Sequence, residues 1–384
     1  MKWQELPGPS GFIEQVHQNI RDGISVVVAS STNVPGGFEG AFIEPLQKDH
    51  WSVDRLSFDS QEDPLEWLTE SLYMEPDSWV GWNVERFIKG LSARQVIAID
   101  GVTDSNWDRW RILLRNFEVA SRQLPADDRP VLLIFARGIP QKRLGISGAA
   151  CVLMTWLGKI GELDMLTYVD QRLRARRQPL RHHKLVVRQI AGLALWDLAL
   201  ADYLADQPEN DLFEVDLVMS MARNALTSWG PEIGPSWERG GVEEFDRVLM
   251  LHPFVLHVQG DPTDELNRRV WTAQSAELLP LIEVRRRDLV KELERKIRCP
   301  FWIDRKIAGQ SSTQEIVNSL DELEIGVLAH VIRVQNIRGE YREKAEWLSR
   351  CRNKLAHLNP LSGREALDSR LHGAGERGLV ERAF

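Results

Sequence analysis

Apolar residues fall in short continuous runs over the first third of the chain and at spacings of three and four beyond it. Ile24 to Ala29 (Ile-Ser-Val-Val-Val-Ala) is a β-branched run of the kind that a strand buried on both faces requires. A polar, glycine-bearing loop, Ser30 to Gly37, follows, then a helix from Phe38 to about Lys48 that Pro45 weakens. Trp51 to Phe58 alternates like a strand, and Asp63 precedes a helix over Pro64–Tyr73 with proline in its first position. Val96 to Asp100 reads as a third strand ending in an acid, Trp107 to Arg122 as a helix, and Val131 to Arg137 as a fourth strand. Strands alternating with helices predict an α/β domain built on a parallel sheet.

From about Leu144 the pattern turns helical. Ile190, Leu193, Trp196, Leu200 and Tyr203 predict one amphipathic helix. Gly230, Pro231, Gly234, Pro235, Gly240 and Gly241 mark loops, and the mainly apolar run Val248 to Val258 leads towards the C-terminal part. Thr263 to Ser362 reads as four or five helices. A long one, Asp264 to Ile297, should kink or divide at Pro280; another begins at Ser319; the last, Glu340 to Leu358, is stopped by Pro360. Gly363 onward has few large apolar residues and reads as a flexible tail. The predicted organisation is an α/β domain (1–143), then an all-α middle (144–262), a C-terminal helical domain (263–362) and a tail (363–384).

With 384 residues, 43% apolar and 27% charged, the chain has the balance of an ordinary globular protein of two or three domains. A net charge of −8 restricts any nucleic-acid contact to a local basic patch. One stretch qualifies: 171–184 carries Arg172, Arg174, Arg176, Arg177, Arg181 and Lys184 with no acid. The competing reading of that stretch is a solvated loop paired with acids elsewhere. His182 and His183 are adjacent, so their side chains diverge, poor geometry for one metal. Three widely spaced cysteines, Cys151, Cys299 and Cys351, predict neither a disulfide framework nor a zinc site. No apolar run has the length of a membrane span, and the opening Met-Lys-Trp-Gln-Glu-Leu-Pro lacks a signal-peptide core, so a cytoplasmic protein is expected. Fourteen tryptophans are scattered without a repeat and read as core anchors.

The order of elements in the first third resembles the core of P-loop NTPases, particularly AAA+ and STAND-type ATPases. On that resemblance Asp100 would end the acid-bearing strand and be a candidate nucleotide-site residue, and Ala136-Arg137 would end the sensor strand. The departure lies after the first strand, where Gly-x-x-x-x-Gly-Lys-Ser/Thr is expected. Ser30-Ser31-Thr32-Asn33-Val34-Pro35-Gly36-Gly37-Phe38 supplies neither the lysine nor the hydroxyl, so the domain should be a degenerate relative that does not hydrolyse ATP, with no cofactor implied.

Arg352-Asn353-Lys354-Leu355-Ala356-His357 closes the last long helix. This Arg-Asn-x-x-x-His run resembles the signature of the HEPN superfamily, many of whose members are RNases of toxin–antitoxin and antiviral defence systems. At about 100° per residue, His357 lies about 140° from Arg352, so one helix does not aim both at one phosphate. Two copies facing across a two-fold axis would, which agrees with the composite sites of HEPN homodimers. The resemblance implies a metal-independent endoribonuclease. His357 would exchange protons, Arg352 would stabilise charge on the phosphate, and Asn353 would orient either, leaving a 2′,3′-cyclic phosphate and a 5′-hydroxyl. The expected function is such a nuclease restrained by the NTPase-like part. The alternative is a non-catalytic scaffold that binds protein partners of a defence or DNA-processing complex.

Overall fold

The computed structural model describes residues 2–59, 62–74, 83–145, 148–177, 180–227, 229, 234–305 and 313–372. The first part runs α1 (Pro7–Arg21), β1 (Ser25–Ser30), α2 (Phe38–Lys48), β2 (Ser52–Ser57), α3 (Pro64–Ser71), α4 (Val84–Gly90), β3 (Gln95–Thr103), α5 (Trp107–Ser121), β4 (Val131–Arg137) and β5 (Cys151–Thr155). Then come α6 (Glu162–Arg174), α7 (His183–Ala194), α8 (Leu198–Ala205), α9 (Val215–Ala225), a hairpin of β6 (Val242–Phe245) and β7 (Val248–Leu251), and α10 (Pro253–Gln259). The last part holds α11 (Glu265–Leu293), a hairpin of β8 (Phe301–Arg305) and β9 (Thr313–Val317), α12 (Ile325–Val334), α13 (Glu340–Ala356), α14 (Gly363–Ala366) and α15 (Ser369–His372).

Two compact units result. One comprises Met1–Arg172, Ala194–Asp202 and Arg223–Gln259; the other comprises Leu173–Leu193, Tyr203–Ala222 and Gly260–Phe384. The first is an α/β domain, as its alternating runs predict. Its five strands are ordered β2-β3-β4-β1-β5 and pair in parallel throughout. β1 and the apolar part of β4 are buried on both faces, which is why they read as continuous Val, Ile and Leu. β2 lies at an edge, half exposed, and tolerates Asp54 and Arg55. On one face, Trp107, Trp110, Leu114 and Phe117 of α5 join Ile97, Ile99, Leu132 and Ile134 in a single core. On α2, Phe38 and Phe42 set their rings 6.2 and 5.6 Å from that of Phe135. α3 starts where Asp63 accepts a hydrogen bond from the Leu65 amide at 2.9 Å, with Pro64 in the first turn.

The second unit is mostly helical and organised along α11. Trp271 donates its indole N–H to the Leu355 carbonyl at 2.6 Å, tying the last turn of α13 to α11. Gln274 exchanges two hydrogen bonds with the Leu361 backbone, at 2.9 and 2.6 Å. Leu348, Cys351 and Leu355 are buried on the inner face of α13, as their spacing predicts.

Several expectations need correction. The region after residue 143 is not all-α. β5 adds to the sheet beside β1, and two antiparallel hairpins interrupt the helices. Cys-Val-Leu-Met-Thr is too short to declare itself a strand, and β1 supplies the ladder that makes it one. The helix expected across Ile190–Tyr203 is two, because Leu195 adopts the left-handed conformation (φ 53°) between α7 and α8. α11, by contrast, passes through Pro280 without dividing. Residues 363–372, expected as tail, form α14 and α15 with Ala366 and Leu371 fully buried; the remaining twelve residues of the expected tail lie outside the described ones. The expected boundary at 143 also falls elsewhere, since α6 to α9 each divide between the two units, whereas the last division, Gln259 to Gly260, lies close to the expected 262.

The register of β3 on β4 slips between Ile99 and Val102, and Gly101 sits in the slip at φ 80°. A Cβ there would run into the carbonyl of Phe58, whose N–H donates to the Asp100 carbonyl at 2.9 Å. Gly101→Ala is expected to lower stability by about 1–3 kcal/mol, read as a reduced midpoint in urea unfolding.

Candidate functional site

In an open parallel sheet, ligands gather at the carboxyl ends of strands where successive connections leave in opposite directions. Here the chain leaves β1 towards β2 and leaves β4 towards β5, on the other side of β1, so that crevice lies between the ends of β1 and β4. Such a place, at the N-terminus of α2, would normally suit an anion. A carboxylate stands in the first turn of that helix. Glu39, in the first turn of α2, forms an ion pair with Arg137 at the end of β4. Burial holds the Arg137 guanidinium below its usual value. Phe38, one residue earlier, is buried in an aromatic cluster with Trp3, Phe42 and Trp156. The loop between β1 and α2 is fastened at both ends: the Thr32 amide donates to the Glu238 carbonyl (2.8 Å), and the Trp3 indole donates to the Gly36 carbonyl (2.9 Å).

Beside this loop, within the first unit, lies a cavity of about 450 Å³. Asn33 to Gly36 form one wall, and the indoles of Trp3, Trp156, Trp196 and Trp229 line others. Tyr168, Lys159 and three carboxylates, Asp197, Asp202 and Glu243, supply the polar groups. Asp197 anchors the arrangement. It accepts from the Trp229 indole (2.9 Å), from His252 Nε2 (3.1 Å) and from the Ala199 and Leu200 amides (2.9 and 3.1 Å). Burial pushes the Asp197 carboxyl up, but those donors outweigh it and hold it below its ordinary value. The Phe254 amide donates to His252 Nδ1 (3.2 Å), which leaves Nε2 as the nitrogen that donates to Asp197. Asp202 accepts from the Tyr168 hydroxyl (3.0 Å) and from Arg172 Nε (3.2 Å). Glu243, only 5% exposed, accepts from the Gly158 amide at 2.7 Å, and burial lifts its pKa to about 7.

The residues singled out in the sequence are distributed otherwise. Asp100 stands on β3, separated from β1 by β4, and does not line the cavity. Of the six basic residues, Arg172 belongs to the first unit and the other five to the second. Arg172 is engaged by Asp202, and Arg176 donates to the Ala205 carbonyl at 2.9 Å. Arg174, Arg177, Arg181 and Lys184 are exposed. The C-terminal motif is at the surface of the second unit. Arg352 bonds Glu324 (3.2 Å) and Asn353 Oδ1 (3.4 Å), while His357 is the exposed residue that caps α13. None of the three lines the cavity described above.

The cavity and the Glu39–Arg137 pair were not visible as a site in the sequence. Its tryptophans come from positions 3, 156, 196 and 229, with no spacing that marks them as neighbours. Glu39 alone carried a readable signal, an acid in the first turn after a glycine pair. Among the described residues, no group of three or more His, Cys, Asp or Glu is arranged to hold a metal, and no helix is long and apolar enough to cross a membrane.

No protein-family model matches this chain, and no curated protein matches it. Among solved structures, a chain from the structure of Drosophila ORC bound to DNA is 12% identical, covering 87% of this chain and 97% of that one with a TM-score of 0.34. A likeness that distant bears on no argument about function.

The raised pKa of Glu243 has a consequence for stability. Between its ordinary 4.5 and about 7 the folded protein holds a proton that the unfolded chain releases, so stability falls as pH rises through that window and levels above it. Glu243→Gln keeps the acceptor oxygen for Gly158 and should flatten that slope, gaining on the order of 2 kcal/mol above neutrality, measured by urea unfolding across the window.

Proposed function

We propose that this protein is a non-hydrolysing binding component, in which an NTPase-like α/β unit serves as a platform for ligand or partner rather than as a motor. The observation that supports this is the Glu39–Arg137 pair at the switch point of the sheet. Aligning Gly37 with the second glycine of a P-loop puts Phe38 where the lysine would stand and Glu39 where the magnesium-binding hydroxyl would. An apolar ring cannot neutralise a triphosphate, and a carboxylate there repels one. Arg137, at the end of the strand that the P-loop resemblance assigns as sensor strand, is already paired. The same unit retains a lined cavity beside the loop, so binding survives as a role while phosphoryl transfer does not. A scaffold in a defence or DNA-processing complex fits these features.

A second reading, a HEPN-type ribonuclease acting as a homodimer, is favoured by one feature: Arg352, Asn353 and His357 all reach the surface at the end of α13. A site shared between two copies would look like this in each copy alone. The RNA substrate and the 2′,3′-cyclic phosphate product belong to that reading.

Purified protein with Mg·ATP should release phosphate at the rate of a buffer blank; turnover that disappears with Arg137→Ala would contradict the first reading. For the second, RNA incubated in EDTA with wild type and with His357→Ala is resolved on a gel. Cleavage lost by about a hundredfold or more in the variant supports the nuclease; equal cleavage, or none from a folded dimer, removes it.

A further inference from the structure

The cavity beside the β1–α2 loop has the composition of a receptor for a positive charge. Its volume, about 450 Å³, lies inside the range of about 300–1,000 Å³ of small-molecule sites. Four indoles line it, and indole is the aromatic face that attracts cations most strongly. Three carboxylates face one ammonium, that of Lys159. Lys159 is itself engaged outside the lining, with its Nζ 5.1 Å from the ring centre of Phe12. Asp197 and Asp202 are each committed to donors of the protein, as described above, and act at short range mainly as fixed negative charge. Glu243 differs: its one hydrogen bond from a neighbouring segment comes from the Gly158 amide, while the carboxylate lines the cavity from β6. A phosphate-bearing ligand would meet these acids without an arginine to offset them, since Arg172 is held by Asp202.

We propose that this cavity binds a small organic ammonium ion, held by the faces of its tryptophans and by the Glu243 carboxylate. The site assigned is the one beside the β1–α2 loop, and the proposal rests on the first reading above only in that no triphosphate competes for the space. A quaternary ammonium group suits it best, because such a group is weakly hydrated and is recognised by aromatic faces without needing hydrogen bonds. Trp196, the partly exposed indole of the four, is the wall residue whose replacement least disturbs the core.

Choline and its uncharged isostere, the dimethylbutanol in which carbon replaces nitrogen, are the probes. Full-length protein is titrated with each by calorimetry at about pH 8, above the Glu243 pKa, and with adenosine and Mg·ATP in parallel. The expected result is saturable choline binding, with the isostere weaker by about tenfold or more. Trp196→Ala and Glu243→Gln should each weaken choline by about tenfold, with the isostere little affected by Glu243→Gln; Trp196→Phe should retain binding. Equal affinity for choline and isostere, no choline binding, or preference for adenosine overturns the proposal. A variant that fails to melt cooperatively is replaced by Trp196→Phe and Glu243→Asp, for which retained and weakened binding are expected. Mg·ATP binding or turnover would defeat the first reading of function and leave the choline comparison to stand or fall alone.

Discussion

The pairing of Glu39 with Arg137 is the contact on which the proposed reading of the α/β unit depends. A parallel sheet with helices on both faces gathers helix N-termini and strand ends at one edge, and that edge attracts anions. Here a carboxylate in the first turn of α2 pairs with Arg137, and a buried phenylalanine ring opens the helix. Arg137, half-buried, obtains a partner, and the helix end carries a negative charge of its own.

The neighbouring cavity depends on a second constraint, the buried Asp197. Four donors converge on it, and together they fix the turn between α7 and α8, the Trp229 ring and the His252 ring that stacks on it at 4.0 Å. A charge so thoroughly hydrogen-bonded in the interior is costly to disturb. Its effect is to hold the Trp229 indole in the cavity wall.

Much of this architecture was legible in the residues. The runs Ile24–Ala29 and Val131–Arg137 read as buried parallel strands, and Asp63-Pro64 marked a helix start that the structure repeats. Leu348, Cys351 and Leu355 announced the inner face of α13. What escaped depended on tertiary partners. β5 becomes a strand because β1 offers it a ladder, and Leu195 breaks a helix against its own periodicity. The cavity was illegible for the same reason, since its walls are assembled from the start, the middle and the hairpin region of the first unit. Within the charge run that is conspicuous in sequence, Arg172 and Arg176 meet partners that the sequence does not mark, Asp202 and the Ala205 carbonyl.

The surface motif on α13 and the Glu39–Arg137 pair are the features on which the two proposed readings rest. The pair is the point on which the first of them turns, and it can be observed directly. A crystal structure of the protein soaked with Mg·ATP should show Glu39 still on Arg137 and no phosphate at the amides that open α2. Phosphate density at those amides, with Glu39 swung away and Arg137 on the γ-phosphate, would contradict it.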